Sequence, residues 1–141
     1  MKLNRILAVG ACAALALTGI TPSAFAADKE PAEKKEKTVV PETVEGIIEA
    51  IHKAHGELAE VVKAKKLADV HHKAFAVRDL ANALPAKVAA DKKARVEGSV
   101  KNIAKLAEDL DKTGDANDQA GTEANLKKLD GVLTALEKQV K

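Results

Sequence analysis

The chain has 141 residues, 46% of them hydrophobic and 31% charged, which suits a folded domain built on one hydrophobic core. It holds no Trp, no Tyr and two Phe, and its single Cys and single Met are Cys12 and Met1, both near the N-terminus. Beyond that N-terminal stretch an aromatic nucleic-acid platform, a disulfide framework, a thiolate metal site and a cysteine nucleophile are excluded.

Residues 1–26 read as a signal peptide. Lys2 and Arg5 supply the charged start, Ile6 to Ile20 is mostly apolar, and Ala24-Phe25-Ala26 forms a small-residue cleavage site before Ala27. The expected destination is the bacterial periplasm. Cleavage removes two of the 23 basic residues and no acid, leaving 21 against 21 acidic, so no net charge draws the mature chain to nucleic acid or to an anionic membrane. No membrane span is expected in the mature chain. Residues 27–40 are charged, carry Pro31 and show no apolar period, and are expected to form a disordered linker. Residues 41–141 are expected to form the folded domain.

Four amphipathic segments follow. The first runs from about Pro41 to Lys65, with Val44, Ile48, Ile51, His55, Leu58 and Val62 spaced 4, 3, 4, 3 and 4 along one helical seam. The second runs from about Leu67 to Leu84 on Val70, Ala74, Val77, Ala81 and Leu84, and Pro85 ends it. The third runs from about Asp91 to Lys112 on Val96, Val100 or Ser99, Ile103, Leu106 with Ala107, and Leu110; Gly114 is the expected C-cap. The fourth runs from about Asn117 to Val140 on Leu126, Leu129, Leu133, Leu136 and Val140, with Asp115, Asn117 and Asp118 as rival N-caps. No segment alternates with a period of two. Short connections between four helices of similar length predict an all-α, antiparallel up-down-up-down four-helix bundle, as a monomer or homodimer.

The histidines carry the only distinctive chemistry. His52 and His55 lie one turn apart in the first segment, and His71 and His72 are adjacent in the second. Glu49 precedes His52, and Asp69 precedes His72, each by three residues, which on a helix puts a carboxylate and an imidazole on one face. His52, His55, His71, His72, Glu49 and Asp69 are therefore candidate ligands for Zn²⁺, Cu²⁺ or Ni²⁺. The competing reading is a core His55 on an apolar seam and three solvated histidines. No nucleophile motif or phosphate loop is present, so no enzyme activity is expected.

The phrases HHKAFAVRDLANALP (71–85) and VKNIAKLAEDLDKTGDANDQAGTEANLKKLDGVL (100–133) resemble a family of small exported bacterial helical-bundle proteins and domains. Related segments of that family accompany heavy-metal efflux systems, including their periplasmic adaptor components. The resemblance covers about residues 44–140, and His71 is the one candidate ligand within its phrases carried over as a family feature. It implies an export setting and a connection to metal resistance; taken with the histidines, the leading expectation is a periplasmic accessory protein that binds a divalent metal weakly or binds an efflux-system component. The alternative is a structural or protein-interaction bundle with no metal ligand.

Overall fold

A computed structural model describes residues 38–141. The expected signal peptide and residues 27–37 of the expected linker lie outside the described residues. Within them, residues 38–40 are non-helical, and Val39 and Val40 are exposed.

The described residues are all-helical: α1 (Val44–Lys63), α2 (Val70–Ala83), α3 (Ala90–Asp115) and α4 (Gln119–Val140), with single 3₁₀ turns at Leu67–Asp69 and Leu84–Ala86. Thr43 starts α1 from an extended backbone, its hydroxyl accepting the Gly46 N–H at 3.1 Å. Pro41 stands just before this cap, packed over Gly46, and not in the first helical turn. Asp118 caps α4 in the same way, accepting from the Gly121 N–H at 2.9 Å, which resolves the rivalry among the three polar candidates. The second 3₁₀ turn contains Pro85, whose missing N–H cannot continue α2.

Two connections use one device. After α1, Lys65 takes a left-handed backbone (φ 57°), the Lys66 N–H reaches back to the Val61 carbonyl, and the Lys65 N–H reaches the Val62 carbonyl. After α3, Asn117 is left-handed (φ 53°), and the Asp118 and Asn117 N–H groups bond to the Thr113 and Gly114 carbonyls. Both are Schellman closures, which satisfy carbonyls that a helix end would leave open. The C-cap expected at Gly114 therefore falls later, at Ala116, and the left-handed residue that follows it is an asparagine, which tolerates that region. Gly114 has another task. It is buried inside α3, and a Cβ there would stand 3.0 Å from the Leu67 carbonyl oxygen and 3.2 Å from the Val70 Cβ.

Consecutive helices pack on one another, and α1 also packs, less closely, on α4. The core is aliphatic, with Ile47, Ile51, Leu58 and Val62 of α1 against Val77, Leu80, Ile103, Leu110, Leu129 and Leu136 of the others. Each such side chain contributes about 1.5–3 kcal/mol when fully buried. Ala74, Ala81 and Ala107 are fully buried and keep the helices close. The expected stripes of α2 and α3 are recovered, except that Leu106 is only half-buried; on α4, Leu126 and Val140 are half-buried, and Thr122 and Asn125 join the buried side. The α1 seam is shifted. Ile47 and Ala54 are buried, whereas Val44, Ile48 and His55 lie half-buried at its margin. Ile51, Leu58 and Val62 of the expected seam are buried, while Ile47 and Ala54 take the places expected for Ile48 and His55. Among the described residues no helix is long and apolar enough to cross a membrane.

Candidate metal-binding histidines

Both histidines of α1 lie on its margin. His52 is exposed, and its Nε2 stands 2.7 Å from Glu137 Oε1 of α4. His55, one turn on, is half-buried, and its Nε2 is shut away from solvent with no hydrogen-bond partner. That burial lowers the pKa of His55 below the ordinary imidazole value; His52 adds to the shift, and Asp130 of α4 opposes it.

On α2, His71 points to α3, its Nδ1 lying 2.7 Å from Asp111 Oδ1. A carboxylate only accepts, so Nδ1 carries the hydrogen, and the neutral ring keeps its lone pair on Nε2. Phe75 meets the His71 ring edge-to-face, with centroids 4.5 Å apart. His72, exposed, also lies edge-to-face with His71, with centroids 5.2 Å apart. The Arg78 guanidinium sits 4.1 Å over the Phe75 ring and pairs with Asp79, while Lys73 pairs with Glu57 of α1 at 2.8 Å.

The two carboxylates singled out from the sequence are placed apart from these contacts. Glu49 is exposed on α1 and lines an open groove of about 310 Å³ with Val44, Ile48, Glu137 and Val140. Asp69 is exposed where the first 3₁₀ turn runs into α2, and its side chain makes no capping bond. Among the described residues no group of three or more His, Cys, Asp or Glu side chains is gathered to hold a metal ion. His71 pairs with Asp111 of α3, whereas the acid whose charge acts on His55 is Asp130 of α4.

Asp111 and Glu137 pair with His71 and His52, and Asp130 acts on His55 through its charge. Each of these acids directly follows a buried leucine: Leu110, Leu129 and Leu136. The position after a stripe residue lies about 100° round the helix, at the edge where the next helix comes alongside. That offset is the sequence signal for them, and it is faint, because many solvated acids share it. Comparison with protein-family models, with curated proteins and with solved structures finds no significant match to this chain.

Proposed function

We propose that the protein is an exported accessory bundle of the periplasm that takes up a divalent cation weakly through its histidines and serves beside a heavy-metal efflux system. The observation that carries this reading is the pairing of two imidazoles with carboxylates from other helices, His52 with Glu137 and His71 with Asp111. A histidine that ligates a metal commonly donates its other ring N–H to a carboxylate, which fixes the ring and raises its basicity. Zn²⁺, Cu²⁺ and Ni²⁺ suit such imidazole donors. With so few donors gathered, water completes the coordination shell, and affinity is low. The up-down-up-down topology is part of the proposal. Its support is that Gln119, opening α4, donates to the Val62 carbonyl near the end of α1 at 2.9 Å, while His52, earlier on α1, meets Glu137 near the end of α4. Likeness of residues 71–85 and 100–133 to efflux-associated bundles supports the setting, and the role is binding, not catalysis.

The same pairs favour a second reading, a protein-interaction bundle in which each imidazole merely ties two helices together. Native mass spectrometry of protein purified from the periplasm separates the two. A chain starting at Ala27 with one cation bound is expected. A cation-free chain that stays free after zinc addition would leave the interaction reading in place. A chain retaining Met1, or lipidated at Cys12, would overturn the processed periplasmic form.

A further inference from the structure

We propose that the cation site is the outer edge of α2, with His71 and His72 as its two protein ligands and Asp111 holding His71 from behind; this rests on the cation-binding reading above. Three observations single out this edge. Asp111 fixes the hydrogen on Nδ1 of His71, so Nε2 presents a lone pair without a change of tautomer. Phe75 packs against the same ring, so His71 is held by two neighbours. The His71 and His72 ring centres are 5.2 Å apart. Two imidazoles on one tetrahedral ion, each nitrogen about 2 Å from the metal, hold their ring centres about 5 Å apart. The rings already stand at that spacing.

The α1 histidines suit an ion less well. His55 Nε2 is closed off from water, so an ion reaching it would shed its hydration on that side with no carboxylate in hydrogen-bonding contact. On the α2 edge, His71 is 42% exposed and His72 is exposed, so a hydrated ion can arrive and keep its waters. The two nearby cations are each tied to an acid, Lys73 to Glu57 and Arg78 to Asp79, which reduces their repulsion of a third positive charge. Asp111 acts as a positioning residue. It shares His71 with the ion and does not bind the ion itself.

The test is a Zn²⁺ titration of the exported chain, followed by calorimetry and by long-range ¹H–¹⁵N spectra of the imidazoles. At one equivalent the Nε2 signal of His71 and a ring nitrogen of His72 should shift together, while Nδ1 of His71 stays protonated. His72→Ala should weaken binding at least about tenfold, and its exposed position leaves folding intact. Asp111→Asn should weaken it about tenfold with stoichiometry unchanged, the range seen for partners behind a ligand. His52→Ala should cost less affinity than His72→Ala does. Shifts at His52 and His55 alone would overturn this assignment and leave cation binding standing. No shift at any imidazole would overturn both.

Discussion

The α-carbon of Gly114 faces the carbonyl oxygen of Leu67 so closely that a methyl group there would stand 3.0 Å from that oxygen. This contact brings α3 against the turn between α1 and α2. Gly114→Ala should therefore destabilise the protein, although alanine is the better helix former by about 1 kcal/mol. Overpacking costs about 1–3 kcal/mol, and the backbone carbonyl cannot swing aside as a side-chain end would. Gly98→Ala and Gly131→Ala should act in the opposite direction, since both positions are exposed in helices with nothing within 4 Å of an added Cβ. Urea melts of the three variants should show one fall and two rises in midpoint.

Leu129 is fully buried at the centre of the α4 stripe. Leu129→Ala should cost about 2–5 kcal/mol through lost burial and the cavity left behind. Leu129→Asp should prevent folding, because it places an unpaired charge in the aliphatic core. A far-UV circular dichroism melt of Leu129→Asp that matches the parent's would show the stripe to be misassigned.

His55 makes stability depend on pH. Its pKa is lowered in the folded state by burial, so the unfolded chain binds the proton more readily. The stability at stake is fully present above the unfolded imidazole pKa of about 6.5 and is lost as pH falls from there through the folded value. His55→Gln should abolish this loss. Denaturation midpoints of parent and variant should run in parallel above about pH 7.5 and diverge below about pH 6.5, the parent falling faster.

The Asp118 side chain satisfies one of the open N–H groups of α4. Asp118→Ala should cost about 1 kcal/mol, and Asp118→Asn much less, since the amide oxygen caps nearly as well. Thermal unfolding by circular dichroism is sufficient to rank the three proteins.

A double-mutant cycle on His71 and Asp111 should give a coupling of about 0.5 kcal/mol, discounted because the two side chains are 42% and 23% exposed. The coupling should shrink in high salt. A value near zero at low salt would mean that the pair orients the ring without stabilising the fold.

All four helices could be read from hydrophobic periodicity, and most of their buried positions with them. The α1 seam was right at Ile51, Leu58 and Val62 and failed elsewhere for a local reason. Ile47 and Ile48 are adjacent, as are Ala54 and His55, so two stripes one residue apart both look apolar enough, and only the neighbouring helices select between them. Gly114 misled because a helix stop and a point of close helix contact ask for the same residue type. The histidines were visible as a cluster in the chain, but their partners were not. Asp111 and Glu137 lie 40 and 85 residues away from His71 and His52, and helix packing alone brings them together.

The looser packing of α1 on α4, fastened by the polar contacts of His52 with Glu137 and of Gln119 with Val62, bears on how the protein comes apart. α3 is flanked by two packed neighbours, whereas α1 has one extensive neighbour and this looser seam. Opening the seam breaks fewer close contacts than parting α3 from either neighbour, so it costs less than global unfolding. The amides of α1 should exchange with deuterated solvent ahead of those of α3. The first helix is thus the natural place for the molecule to loosen while the rest stays folded.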